Sequence, residues 1–396
     1  MGNFKNYIKL REDRNPLTTK IKLTRENDDF QPFVVDKNNH KNLRILMKAF
    51  ENSPQIGVGY TTVDKSKGEV EPKLKKKTLY LTGGAVRDHL KGKTPRNYDL
   101  STDATASEIK MILSDKDSGF EEISPQEAGV NTSGRYFYVS RKSKDGGDLE
   151  FTIIINGESF YLSPFSNASK SRRISPENYS ASGLEEDAST RDTTINAMYI
   201  PLKNSDGDNS ELIDIYGGAH HLKNGKIVYI NGFSKHVKED PINAHRMIRM
   251  QTRYGAEKPS DKMLDITKSV NGLDPDYKKE YLYGLENSDT DIQKYLNLYS
   301  KSGLLNTVYP VDNIDTDVPE KCGNDKFLVS AWMLKNNPTD KTRFALSSAG
   351  WGDQEVSDIL HLIKLYQSFK NRYTINHDNY GCGLPSYKID KWKSLI

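Results

Sequence analysis

The residues of this chain whose types and spacing could do chemistry begin at Gly83-Gly84-x-x-Arg87-Asp88 and continue to Asp99. The apolar run Leu79–Leu81 reads as a strand, and two glycines after it let the backbone turn sharply and approach a ligand closely. Ala85–Leu90 then reads as the start of a helix, whose free N–H groups and positive dipole end suit a phosphate. Arg87 adds a planar fork of donors for phosphate oxygens. A second short segment ends in the carboxylate of Asp99, and Glu150 lies in a later strand-like run. Strand, glycine turn, helix and acidic strand together point to a site for a nucleoside triphosphate and a divalent metal ion.

The spacing extends well beyond one turn. Leu90, Gly92, Pro95, Asp99-Leu100 and Thr102-Asp103 follow in order, then Leu149-Glu150-Phe151, Glu186-Asp187 and Arg191-Asp192 with Thr194–Met198. Ile213-Asp214 with Gly217-Gly218, Glu239-Asp240-Pro241 and Arg246–Arg249 complete the series. Over about residues 78 to 255 this series resembles the class II nucleotidyltransferases, the family of bacterial-type tRNA CCA-adding enzymes and poly(A) polymerases. The resemblance implies an α+β fold: a nucleotidyltransferase head with a small mixed β-sheet, followed by an α-helical neck and body. It implies an enzyme that adds nucleotides, CCA or A, to RNA 3′ ends without a template, with tRNA as the RNA partner and ATP and CTP as substrates.

Site roles follow from the same resemblance. Gly83, Gly84 and Arg87 would hold the triphosphate, with Asp88 orienting Arg87 or capping the turn. Nucleotidyl transfer uses two Mg²⁺ ions, one lowering the pKa of the attacking 3′-hydroxyl and one bracing the triphosphate. The family supplies an Asp-x-Asp pair on one strand, where alternate residues share a face; here those positions are Asn97 and Asp99. Asn97 offers a neutral amide oxygen, which attracts a dication less, and Glu150 is expected on a neighbouring strand with its carboxylate converging on Asp99. Arg191, Asp192 and Asn196 are expected at the ribose and incoming nucleotide, although the arginine preceding Arg191 in the family is Thr190 here. Asp240 and Asn243 occupy the base-reading positions of the neck, with asparagine replacing an arginine. Asparagine can give paired hydrogen bonds to adenine, so adenine preference and loss of selectivity are both open.

Three substitutions at three functional positions leave a second reading: a catalytically degenerate member that keeps the fold as an RNA-binding or structural component of a larger assembly. Two basic clusters, Lys73 to Lys77 and Lys170 with Arg172 and Arg173, suit an RNA backbone where they border the site.

The elements that must position these residues divide the chain into four. Residues 1–77 read as an arm, a helix at Asn42–Asn52 with one apolar face, and a hairpin or insertion. Residues 78–218 form the head, with strands near 79–82, 98–101, 135–139 and 149–155 and a helix near Ala106–Leu113. A Ser- and Asn-rich loop is expected over 157–182. Residues 219–272 are the neck, opening with a helix over Asp240–Tyr254, and 273–396 a helical body with helices at Asp291–Tyr299, Phe327–Leu334 and Val356–Phe369.

Composition sets the outer limits. With 396 residues, 35% hydrophobic and 28% charged, the chain has room for two or three domains and much solvated surface. A net charge of +3 gives no global argument for nucleic acid, so the local clusters carry it. Two cysteines suggest neither a zinc site nor a disulfide framework. No apolar run approaches the roughly 20 residues that span a membrane, and the N-terminus lacks an apolar signal core; a cytoplasmic protein is expected.

Overall fold

Leu81, Leu100, Phe151 and Phe160 are each fully or almost fully buried, and each sits on a different strand of one sheet that forms the middle of the head. The computed structural model describes residues 20–22, 30–53, 56–57, 74–95, 97–124, 136–142, 148–165, 183–370 and 384–395. The cluster Lys170, Arg172 and Arg173, the lysine at 73 and Cys382 lie outside them. The chain divides into two compact units, residues 1–224 with 228–230, and residues 225–227 with 231–396.

In the first unit the strands are β1 (Lys20–Lys22), β2 (Phe33–Val34), β3 (Ile56–Gly57), β4 (Leu74–Lys75), β5 (Leu79–Thr82), β6 (Tyr98–Thr102), β7 (Phe120–Glu122), β8 (Tyr136–Lys142), β9 (Asp148–Ile155), β10 (Glu158–Pro164), β11 (Met198–Leu202), β12 (Asp208–Asn209) and β13 (Glu211–Asp214). Nine of them form one sheet in the order β1-β13-β11-β5-β6-β10-β9-β8-β7, while β12 pairs with β2 and β3 with β4. The sheet is mixed, as expected: β10 runs parallel to β6 and β7 to β8, and the other neighbours are antiparallel. Helices α1 (Lys41–Asn52), α2 (Gly83–Leu90), α3 (Ala106–Leu113), α4 (Leu184–Thr190) and α5 (Gly218–Lys223) complete the unit.

One expectation is corrected here. The stretch after Gly157 is not a loop at its start: Asn156 and Gly157, with φ of 50° and 83°, make the two-residue turn that suits a tight hairpin. They send β10 straight back along β9, and β10 enters the sheet between β9 and β6. In β10, Phe160, Leu162 and Pro164 are buried while Tyr161 is exposed, the period-two pattern of a half-buried strand.

Several motif residues prove to be architectural. The Thr105 hydroxyl accepts from the Glu108 N–H and the Glu108 carboxylate from the Thr105 N–H, a reciprocal cap that starts α3. Asp103 accepts from the Thr78 N–H at 2.7 Å, and the Thr102 hydroxyl donates to the Thr78 carbonyl at 2.8 Å. These two bonds pin the start of β5 to the end of β6. Asp214 accepts from the N–H groups of Gly218 and Ala219 at 2.8 and 3.0 Å, capping α5. A Cβ at Gly218 would lie 2.1 Å from the Thr194 carbonyl oxygen, so only glycine fits there. Lys77, one of the basic cluster read as suiting an RNA backbone, is instead buried and bonded to Glu108 at 2.9 Å.

The second unit is helical among its described residues: α6 (Phe233–Glu239), α7 (Ile242–Tyr254), α8 (Asp261–Thr267), α9 (Pro275–Leu285), α10 (Ile292–Ser302), α11 (Leu305–Val308), α12 (Lys326–Leu334), α13 (Thr339–Ser348), α14 (Asp353–Lys370) and α15 (Ser386–Lys393). Starts are set by caps, as where Asp274 precedes Pro275 and Asp291 and Asp325 accept from first-turn N–H groups. No helix among the described residues is long and apolar enough to cross a membrane.

A candidate nucleotide site on the head

The site is built where β5 stops and α2 begins. Gly83 adopts φ +60°, the left-handed region open chiefly to glycine, and a Cβ there would lie 3.1 Å from Asp99 Oδ2. A Cβ at Gly84 would lie 3.2 Å from the Arg87 guanidinium and 3.5 Å from the same carboxylate oxygen. The glycine pair therefore serves conformation and close approach together. The Gly84 N–H donates to Asp99 Oδ2 at 3.4 Å, a contact at the long end of hydrogen bonding.

Arg87 is buried. Its Nε donates to Asp88 at 3.3 Å and its terminal nitrogen to Asn196 Oδ1 at 2.5 Å. Asn196 donates in turn to Asp192 at 2.9 Å, and Asp192 also accepts from the Thr193 N–H at 2.6 Å. Arg87, Asp88, Asp192 and Asn196 thus form one connected polar chain, and the guanidinium is fixed beside the Gly83–Gly84 turn.

Arg191 donates to Ser101 at 2.8 Å and doubly to Asp187, at 3.2 and 2.9 Å. Asp187 is buried and also accepts from the Tyr199 hydroxyl at 2.6 Å, and the Arg191 guanidinium lies 5.7 Å from the Tyr199 ring centre. Pairing with Asp187 and Tyr199 outweighs burial and holds Arg191 firmly charged, while burial lifts the Tyr199 phenol far above its usual range. Ser101 and Tyr199 were not singled out in the sequence, and Asp187 only as part of the Glu186-Asp187 motif. Their signal lay in position: Ser101 is two residues after Asp99 on the same strand face, and Asp187 is one helical turn before Arg191.

Asp99 sits among these groups. Burial raises its pKa, against the Gly84 N–H and the charges of Arg191 and Arg87, which lower it, and Asp88, which adds to the rise. This carboxylate lies beside the N-terminus of α2 and within reach of the charges of two arginines, electropositive surroundings that suit phosphate oxygens.

The remaining metal candidates are placed differently from expectation. Glu150 is on β9, and β10 separates it from β6, so Asp99 and Glu150 are not on neighbouring strands. Two inter-strand spacings amount to about 9–10 Å. Glu150 instead pairs at 3.1 Å with Arg141 on β8, the strand on its other side. The residue opposite Asp99 on the adjoining strand is Tyr161. Asn97 is exposed, at the bend just before β6. Among the described residues no three His, Cys, Asp or Glu side chains group closely enough to hold a metal ion. The donors present do not fit a two-ion centre. They fit one Mg²⁺ carried in with a triphosphate, since that ion commonly takes one or two protein carboxylates and completes its shell with phosphate oxygens and water.

In the second unit, Asp240 is exposed and accepts from the Ile242 N–H at 3.3 Å. Asn243 is buried, and its amide nitrogen donates to the carbonyls of His236 and Asp240 at 3.1 and 3.0 Å while its oxygen accepts from Arg246 at 3.4 Å. This corrects the expectation of a base-reading asparagine: the donors that would face adenine are spent on the turn between α6 and α7. His220 and His221 belong to α5, where His221 bonds the Thr194 hydroxyl at 2.9 Å.

Comparison with known proteins agrees with this geometry. Residues 79–228 match the family described as Poly A polymerase head domain. The mitochondrial CCA tRNA nucleotidyltransferase 1 of Danio rerio is 30% identical over 179 residues, 45% of this chain and 36% of the relative. Poly(A) polymerase I of Haemophilus influenzae is 24% identical over 297 residues, 72% of this chain and 55% of the relative. The chain thus spans less than two thirds of the length of these relatives. Among solved structures, a CCA-adding enzyme in apo form I superposes with a TM-score of 0.54 at 17% identity, covering 91% of this chain and 79% of that one. The Thermotoga maritima CCA-adding enzyme complexed with tRNA also gives 0.54 at 17% identity, covering 81% and 75%. These likenesses show a shared fold, and within it residues 79–228 are similar to the Poly A polymerase head domain.

Proposed function

We propose that this chain is a template-independent RNA nucleotidyltransferase that adds nucleotides, as CCA or as A, to RNA 3′ ends, with tRNA as its substrate and ATP and CTP as donors. The observation that carries this reading is the single carboxylate of Asp99 set against the Gly83–Gly84 turn between Arg87 and Arg191. In this assignment Gly83, Gly84 and Arg87 hold the triphosphate, with Arg87 braced by Asp88 and Asn196. Arg191 and Asp192 lie on the nucleotide side, Arg191 locked by Asp187. Asp99 is the catalytic carboxylate and would meet a Mg²⁺ ion bound with the triphosphate, whose contribution is to neutralise phosphate charge. Asn97 and Glu150 have at most a supporting electrostatic role. Base selection cannot rest on the amide of Asn243, and of that pair Asp240 keeps its exposed carboxylate. The proposed compartment is the cytoplasm, whose reducing conditions suit the free, buried thiol of Cys322.

A second reading is favoured by one specific observation. The sheet register puts Tyr161, not a carboxylate, beside Asp99, as in a member that keeps nucleotide and RNA recognition and has given up catalysis. The two readings part on one experiment: purified protein, labelled CTP and ATP, Mg²⁺ or Mn²⁺, and tRNA lacking its 3′ end. Extension of the tRNA supports the transferase, and the added sequence tells CCA from A. Tight tRNA binding with no extension supports the second reading.

A further inference from the structure

The neighbours of β6 differ in what they bring to Asp99. On one side β5 leads into the Gly83–Gly84 turn and Arg87. On the other side β10 brings Tyr161, paired with Asp99 in the parallel register. Partners in such a ladder point to the same sheet face, so the tyrosine ring and the carboxylate share a face. Tyr161 is 36% exposed, one of the few large apolar-bodied side chains among the described residues of the head with that much surface. Around it the same face carries Ser163 on β10 and Thr152, the partner of Tyr161 on β9, with Ser101 on β6 buried against Arg191. A flat exposed ring flanked by short side chains and a carboxylate is a stacking platform.

The two flanks differ in what they can bind. The cationic flank suits the triphosphate. In-line displacement places the attacking oxygen opposite the leaving group, so the acceptor belongs on the flank away from the pyrophosphate. That flank is Tyr161. Resting on the proposed nucleotide site, we infer that Tyr161 is a positioning residue that stacks the 3′-terminal nucleoside of the acceptor RNA beside Asp99. Stacking on a ring is tolerant of base identity, so Tyr161 holds an RNA end without choosing its base.

The test uses the full chain with a short fluorescein-labelled single-stranded RNA and, separately, ATP and CTP. Tyr161→Ala weakens RNA binding by about tenfold, within the range known for loss of one stacked base, and by similar factors for all four 3′-terminal bases. It leaves the nucleotide dissociation constants unchanged. Tyr161→Phe keeps RNA binding at the wild-type level, because the ring and not the hydroxyl carries the contact, and unchanged melting of both variants excludes a folding defect. Wild-type RNA affinity in Tyr161→Ala, loss of nucleotide affinity instead, or failure of Tyr161→Phe to keep RNA binding would each overturn the assignment. Failure of the underlying nucleotide-site reading looks different: the wild-type protein itself then binds neither ATP nor CTP.

Discussion

At the residue scale the site concentrates its constraints on Gly83 and Asp99. Gly83 needs both a left-handed backbone and room for the Asp99 carboxylate. Gly83→Ala is therefore expected to lower stability by about 1–2 kcal/mol from backbone conformation alone. Crowding of Asp99 comes on top, so nucleotide affinity falls with it; thermal melting and nucleotide titration measure the two effects. Asp99 has the opposite character. Its pKa is raised chiefly by burial, so the folded protein holds the carboxyl proton to higher pH than the unfolded chain does. Stability then falls as pH rises through the window between the ordinary carboxylate value and the raised one, and the cost is fully present above that window. Asp99→Asn removes that cost. The variant is expected to melt higher than wild type above that window, and the gain should vanish as the pH falls below the ordinary carboxylate range. A melting temperature unchanged at every pH would mean that Asp99 bears no burial cost, against its placement. A functional carboxylate that costs stability follows the general trade between activity and stability.

At the element scale the sheet order decides which residues meet. The glycine turn, Asp99 and the helix after them were legible in the sequence because strand, turn and helix signals follow one another within a short span. Glu150 is not the neighbour of Asp99 because the Asn156-Gly157 hairpin sends β10 back between β9 and β6. Once β10 is recognised, Tyr161 replaces Glu150 as the neighbour of Asp99. The role of Asn243 was not legible, since its hydrogen bonds to the His236 and Asp240 carbonyls depend on how the chain turns between α6 and α7. The second unit has its own titrating element. His245 on α7 is buried against Tyr277, ring centres 4.6 Å apart, and contacts the Tyr299 hydroxyl at 3.2 Å. Burial lowers its pKa to about 3. The unfolded chain therefore takes up a proton near the ordinary histidine value while the folded one does not, and stability is lost as the pH falls below that value. Between pH 6.5 and 5 the loss should reach about 2 kcal/mol. A melting-temperature profile against pH would show it, and His245→Phe should flatten that limb. A limb that survives the substitution would assign the acid sensitivity to other groups.

At the scale of the whole molecule, the mixed sheet of the head and the helical body were both legible. Alternation and 3.6-residue spacing mark β5, β6, α3, α10, α12 and α14 in regular segments with clear caps and breaks. Outlying strands such as β1, β2 and β12 were not, because two or three residues carry no period, and pairing partners distant in sequence define them. The resemblance of the head to the Poly A polymerase head domain was legible because its motif residues are held by backbone geometry. Thr102, Asp103, Asp214 and Gly218 cap or pin elements, so they mark the fold whether or not catalysis is kept. Asn243 also serves folding, since its buried amide holds the turn between α6 and α7.

The central claim is that Asp99, with its phosphate-holding neighbours, performs nucleotide transfer, and incorporation by wild type against Asp99→Ala tests it most directly. Labelled ATP and CTP are supplied with Mg²⁺ or Mn²⁺ and a tRNA lacking its 3′ end. The expected result is addition by the wild type and none by Asp99→Ala, with tRNA binding the same in both. No addition by the wild type with either metal, or addition that persists in Asp99→Ala, would contradict it.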